Sequence, residues 1–323
     1  FDLDGIERGL LLMLWGWFKK KVIADRALSL VEAVFGSQSA YGGAVIVVGV
    51  LFYSLQQYAD FSGGIDLVTG IAQLFGIQLA PNFKRPYFSV SLGDFWRRWH
   101  ISLGAWMRDY VFYPFALTRP VSRMSKALKK KAGTHIARAL PAALGNILVF
   151  LLVGVWHGAQ MNYVLWGLYN GVILAFTALV EPVYKRMNDR LPRLTASGGF
   201  HVFRILRTFL VVNIGWYFDR CVRVSDAFAM LHKTFFAFNA RQLFDGTLDT
   251  LGLAAKDYRI LLVATIILFV VSFMQERGVK IRDFVLSRPL ALRWAVLYAF
   301  IFFVLATFGG SNVAASGFMY AVF

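Results

Sequence analysis

LVFLLVGVWHGAQ, residues 148–160, is the stretch on which the fold turns. It closes an uncharged apolar run, Leu140–Trp156, and then delivers a histidine and a glycine. A bilayer core is crossed by about 20 apolar residues, with roughly 17 sufficient, so the run reads as a membrane helix. His157 sits at its end, between Trp156 and Gly158. A full charge at the centre of such a helix costs about 2.5–3.5 kcal/mol, so an ionisable group placed there is a functional candidate. The alternative is a neutral histidine hydrogen-bonded at the interface.

Other segments follow the same pattern. Gly42–Tyr58, Met161–Val180, Phe203–Phe218, Tyr258–Phe273 and Ala291–Phe308 each read as a span. A shorter apolar helix, Gly9–Phe18, ends in Lys19-Lys20-Lys21. Another, Ile65–Phe75, follows a glycine pair. Hydrophobic residues make up 58% of the 323, more than an ordinary soluble domain carries. The expected fold class is therefore all-α: a polytopic membrane bundle around a buried cavity, with amphipathic helices at the interface. The chain reads as a single membrane-embedded domain over 1–323.

The net charge is +16, from 34 Lys and Arg against 18 acids. Such an excess could serve nucleic acid, but here the basic residues alternate with spans and form no single face. A lipid bilayer is the partner this implies, and nucleic acid is not. One cysteine, Cys221, leaves no disulfide framework and reads as a small buried hydrophobe. The histidines lack the spacing and carboxylate companions of common metal sites. FDLDGIERGL reads as a helix start, with Asp4 as N-cap and Glu7 three residues on. With Phe1 first and no signal peptide, the sequence is expected to begin inside a longer protein.

The polar segments between the spans read as loops, and their charges suggest an orientation. Residues 118–138 carry seven basic residues and no acid. Segments 181–207 and 276–293 are also rich in bases, whereas 219–257 balances them with aspartates. The order inside, inside, outside, inside follows from the positive-inside rule. It places His157 near the outer end of its helix, at the short turn HGAQ.

A second histidine lies in FWRRWHISLGAWMRDY, residues 95–110. Residues 94–110 have a helical period, with Phe95, Trp99, Leu103, Trp106 and Tyr110 in one apolar stripe and Arg98, Ser102 and Asp109 on another face. His100 falls beside the stripe, in line with Trp96, Leu103 and Met107. An interfacial helix with snorkelling arginines would give the same pattern. In SLQQYADFSGGID, Asp60 and Asp66 need partners at depth, and the arginines of 95–110 are candidates. Gly63-Gly64 permits a helix break there.

Taken together, YADFSGGID (58–66), NFKRPYF (82–88), DFWRRWHISLGAWMRDYVFYP (94–114) and WHGAQMNYVLWG (156–167) resemble the membrane-bound O-acyltransferase family. The likeness is to its bacterial branch that includes the alginate O-acetylation membrane subunit. The C-terminal GFMYAVF is similar to the family's aromatic ending. The resemblance covers nearly the whole chain but only the later part of the family's length, so helices upstream are expected. It implies that His157 is the essential histidine and His100 the second histidine of the bacterial branch. Donor or substrate contacts are expected at Trp156, Trp99, Arg97, Arg98, Asp60, Asp66 and Asn162. The chain departs from the family at Gly64, Gly104 and Asn170, where tyrosine, serine and histidine are frequent, and in FALTRPVSR. Those departures bear on substrate identity and leave both histidines in place.

The resemblance further implies transfer of an acyl group, most simply acetyl, from a thioester such as acetyl-coenzyme A. No bound cofactor is expected. The direction is towards a hydroxyl of an extracytoplasmic polysaccharide, directly or through an acyltransferase partner, in a bacterial cytoplasmic membrane. His157 would serve as general base. His100 would orient the donor, hold the tautomer of His157, or donate a hydrogen bond to the oxyanion. Rival readings are D-alanyl transfer to teichoic acid and a non-catalytic transporter.

Overall fold

The computed structural model describes residues 3–307, which are helical with no strand among the described residues. Phe308 and the ending GFMYAVF lie outside them. The chain forms two compact units, residues 1–80 with 230–323, and residues 81–229.

The first unit opens with α1 (Leu3–Trp17), in which Asp4 occupies the first turn rather than the cap position. The chain does not leave the helix at its three lysines. It continues through a π-helical turn, Phe18–Ala24, into α2 (Asp25–Gly36). Then α3 runs unbroken over Gly43–Leu74, across Gly63-Gly64 where a break was expected. Those glycines serve helix approach instead. A Cβ on Gly16 would lie 2.7 Å from the Gly63 carbonyl oxygen, and one on Gly9 would lie 2.7 Å from that of Gly70. The seven-residue spacing sets both contacts on one face of each helix, the arrangement by which helices pack where apolar burial gives no drive.

That close packing buries charge. Lys19 and Lys20 are 3% and 1% exposed. Lys19 Nζ lies 2.8 Å from Asp66 and donates to Ser62 Oγ at 2.8 Å. Lys20 Nζ lies 3.0 Å from both Asp25 and Asp60, and Lys21 lies 2.8 Å from Asp25. Buried Arg26 meets Asp257 at 3.1 Å and the Thr307 carbonyl. The expected pairing of Asp60 and Asp66 with arginines of 95–110 is thus replaced by pairing with Lys19 and Lys20. Because the helix continues through them, these lysines face α3 instead of water.

The second unit begins with a loop holding a 3₁₀ turn at Pro86–Phe88. Ser91 caps α4 (Leu92–Arg98), its hydroxyl accepting from the Asp94 amide at 3.1 Å. After a break come α5 (Ile101–Met107), a π-helical turn at Arg108–Phe112, and α6 (Tyr113–Ala116). The long α7 (Arg119–His157) turns sharply at Gly133, whose φ of 85° suits glycine. Its first part was expected to be loop. Lysine, alanine and leucine are good helix formers, and the basic residues Arg119, Arg123, Lys126, Lys129, Lys130 and Lys131 stay exposed on the helix.

After a three-residue turn, α8 (Met161–Leu179) returns beside α7. A Cβ on Gly154 would strike the Tyr163 carbonyl, one on Gly167 the Phe150 carbonyl, and one on Gly171 the Ile147 Cα at 2.9 Å. The short helices α9 (Glu181–Arg190) and α10 (Pro192–Thr195) precede α11 (Gly198–Arg220). Then α12 (Val224–Phe236) carries the chain back into the first unit, which α13 (Ala255–Glu276), α14 (Ile281–Leu286) and α15 (Leu290–Thr307) complete.

Among the described residues, five helices are long and apolar enough to cross a membrane: α3, α7, α8, α13 and α15. The chain is an integral membrane protein. The expected span Phe203–Phe218 does form a helix, α11, but Arg204, Arg207 and Asn213 interrupt its apolar sequence, and it is not among the five.

Candidate active site

The site builds on the second unit, where α7 ends. His157 is the last residue of α7 and is half-buried. Its ring lies edge-on to Trp166 at 5.2 Å, near Tyr163 at 6.1 Å and against Trp156 at 4.8 Å. Gly158 makes the turn into α8 with room for one contact: a Cβ there would meet the Tyr163 ring at 2.8 Å. The glycine in WHGA therefore lets Tyr163 close over the helix end.

His100 reaches the same indole. Its ring centroid lies 6.2 Å from Trp156, so one tryptophan touches both candidate histidines. His100 does not stand on a continuous helix, as its periodicity suggested. It adopts a left-handed conformation with φ 47° and ψ 55°, ending α4 and starting α5. Histidine tolerates that region better than most residues. Backbone bonds hold the turn: Ile101 N donates to the Asn82 carbonyl at 3.0 Å, and Lys84 N to the Arg98 carbonyl at 2.9 Å. Asn82 Oδ1 also lies 3.2 Å from His100 Nδ1. Burial pushes the His100 imidazole down to about 4, so it is neutral near pH 7.

The break divides the expected apolar stripe. Phe95 and Trp99 are buried, whereas Trp106 and Tyr110 are exposed. Trp99 stacks on Phe95 at 5.5 Å and packs against Phe83 and Trp216 at 5.1 and 5.8 Å. It forms wall behind His100. Arg97 is 73% exposed, while Arg98 is drawn in by Asp94 at 3.2 Å. Asn162 is buried on α8. Its amide donates to the Phe218 carbonyl at 3.3 Å, and its Oδ1 has no hydrogen-bond partner among the described residues. Asp60 and Asp66 belong to the first unit and are taken up by the buried lysines described above.

Several contributors were not read as site residues from the sequence. Trp166 and Asn170 follow Asn162 at helical spacing, and Trp96 joins them: its Nε1 donates to Asn170 Oδ1 at 3.1 Å. Its ring meets Trp166 at 5.6 Å. The i, i+4, i+8 stripe on α8 was the available signal. Asn82 lay within a quoted motif, but nothing in its spacing pointed to His100. The remaining histidines, His135, His201 and His232, match no motif and stand on helices, with His201 and His232 exposed at the surface. His135 Nε2 lies 3.0 Å from the Leu179 carbonyl. Cys221 is buried and its thiol is pushed up to about 12, chiefly by burial.

The arrangement offers two imidazoles and an indole in an aromatic enclosure, with a shielded amide oxygen on the next helix. Such a setting can accept a proton from a hydroxyl and exclude water. No group of three or more metal-ligating side chains occurs among the described residues.

Comparison with known proteins agrees with this architecture. The chain is 34% identical over 242 residues to the probable alginate O-acetylase AlgI of Pseudomonas syringae pv. tomato, covering 75% of this chain and 41% of that protein. It is 31% identical over 226 residues to the peptidoglycan O-acetyltransferase of Helicobacter pylori, covering 70% and 38%. It is 32% identical over 165 residues to the teichoic acid D-alanyltransferase of Bacillus subtilis, covering 51% and 38%. The chain thus matches less than half the length of each of these relatives. The model of the membrane-bound O-acyltransferase family matches residues 38–213, more than half of the sequence, and the chain belongs to that family.

Proposed function

We propose that this chain holds the transfer centre of a membrane O-acyltransferase. It moves an acetyl group from a cytosolic thioester, acetyl-coenzyme A or a similar carrier, towards a hydroxyl of an extracytoplasmic polysaccharide. The observation that carries the reading is the placement of His157 and His100 against one indole, Trp156, at the end of a membrane helix. The names of its relatives, O-acetylases of alginate and peptidoglycan, support acetyl as the group and a cell-envelope polymer as the destination.

His157 takes the hydroxyl proton as that oxygen attacks the acyl carbon. The tetrahedral intermediate collapses, the carbon–sulfur bond breaks, and the departing thiolate receives the proton. Trp156, Tyr163 and Trp166 keep water from the acyl carbon, which limits hydrolysis. Asn162 and the arginines Arg97 and Arg98 are the polar groups proposed to meet donor or acceptor. The membrane is the bacterial cytoplasmic membrane, with the basic segments inside, so that the acyl group crosses while its carrier stays in the cytosol. An extracytoplasmic acyltransferase partner can complete delivery to the polymer.

The test expresses the full-length gene with its neighbours in a host lacking this modification and measures alkali-labile acetate on envelope glycans. Acetate present in wild type and absent in His157→Ala, at matched protein level, supports the reading. Equal acetate in both removes His157 as the base. The likeness to a teichoic acid D-alanyltransferase favours a second reading, D-alanyl transfer by the same centre. Ester-linked D-alanine in place of acetate would identify it.

A further inference from the structure

Asn82 lies in the loop before α4, and its side-chain oxygen serves three neighbours. Oδ1 is 3.1 Å from Ser102 N, 2.6 Å from Ser102 Oγ and 3.2 Å from His100 Nδ1. The main-chain N–H of Ser102 can only donate, so the Asn82 atom facing it is the carbonyl oxygen and not the amide nitrogen. That settles which end of the amide also faces His100. An oxygen bearing only lone pairs attracts Nδ1 at this distance when Nδ1 carries hydrogen. A neutral imidazole with hydrogen on Nδ1 keeps its lone pair on Nε2. The same asparagine accepts from Ile101 N through its backbone carbonyl, so it grips the main chain after His100 and the ring of His100 together. The left-handed turn at His100 brings both groups within its reach.

We infer that Asn82 is the positioning residue of His100: it fixes the Nδ1–H tautomer and presents Nε2 as an acceptor of hydrogen bonds and protons. The geometry stands by itself; the consequence for catalysis rests on the acyl-transfer reading. A neutral His100 held this way has no hydrogen on Nε2 to offer a developing oxyanion. Of the roles the sequence leaves to His100, donation to the oxyanion drops out. What remains is acceptance, from the acceptor hydroxyl, from a donor group on the carrier, or from an N–H of His157, whose tautomer it would then set. Burial supports this by keeping the ring neutral.

The test labels the full chain with [15N]histidine in lipid nanodiscs and records long-range nitrogen–proton correlations at pH 7. His100→Asn identifies the His100 signals by difference. The Nδ1–H pattern is expected in wild type and in Asn82→Asp, which keeps an acceptor oxygen. Ser102→Ala, which removes a hydroxyl but leaves the contact with His100, is expected to keep it too. Asn82→Ala is expected to shift His100 towards the Nε2–H form. An Nε2–H pattern in wild type, or an unchanged pattern in folded Asn82→Ala, overturns the inference. If Asn82→Ala does not fold, the wild-type and Asn82→Asp spectra decide. Transfer is assayed separately: Asn82→Ala should lower kcat at least about tenfold with KM little changed, and Asn82→Asp should recover most of it. Wild type that transfers no acyl group counts against the acyl-transfer reading and leaves the tautomer result standing.

Discussion

Gly16 meets Gly63 backbone to backbone, close enough that a Cβ on Gly16 would lie 2.7 Å from the Gly63 carbonyl oxygen and 3.0 Å from Leu67 N. Backbone cannot swing away as a side chain can. Gly16→Val should therefore force α1 off α3 and destabilise by at least about 1–3 kcal/mol, the range for overpacking. Gly36→Ala, at a position with nothing within 4 Å, is the matched control. Thermal unfolding in detergent checks the pair, and equal midpoints would mean that the close approach carries no stability.

Lys20 stands between Asp25 and Asp60 with almost no exposure. Removing one member of a buried ionic cluster costs about 3–5 kcal/mol, because the remaining charges are less well compensated. Lys20→Met should unfold earlier than wild type, and Lys20→Met combined with Asp60→Asn should recover part of the loss. A double variant worse than the single would show that the charges do not compensate each other.

His157→Gln should reduce acyl transfer by about 10²- to 10⁴-fold, the usual contribution of a positioned base. His135→Gln, whose parent ring lies against the Leu179 carbonyl, should retain activity. Both are compared at matched protein level in the glycan-ester assay.

The acid response has a defined sign. His100 falls to about 4 in the fold from its ordinary 6.5. As pH drops, the unfolded chain takes up this proton first. The contribution of a neutral His100 is thus complete above about 6.5 and is lost progressively as pH falls towards about 4. Melting temperatures at pH 7 and pH 4.5 should differ less in His100→Asn than in wild type. Asparagine accepts the left-handed backbone, so this variant removes the titration without straining the turn.

Much of the membrane architecture was legible because length and apolarity alone define it. Helices α7 and α8, their short turn, and His157 at the junction follow from one uncharged run and a four-residue interruption. The two candidate histidines could be singled out from the sequence, but not how they are held. Residues 94–110 keep a helical period throughout, yet the helix breaks at His100. Asn82, eighteen residues upstream, contacts the broken turn, and local periodicity cannot report such a partner. The basic stretch after Thr118 resembled loop because charge marks exposure, and an exposed helix looks the same. Asp60 and Asp66 demanded partners, but the choice between nearby lysines and distant arginines depended on α1 continuing past Trp17.

The buried lysines also constrain the order of events during synthesis. Lys19 and Lys20 emerge from the ribosome before Asp60 and Asp66 do, since their carboxylates belong to α3. Until that helix arrives, Lys19 lacks Asp66 and Lys20 lacks Asp60, so the π-helical turn after α1 carries charge that neighbouring Asp25 offsets only in part. Glycine faces on α1 and α3 allow both charges and backbones to meet in one step. The two elements therefore close together: α1 and the turn after it gain the backbone contacts of α3 and its two carboxylates in the same event.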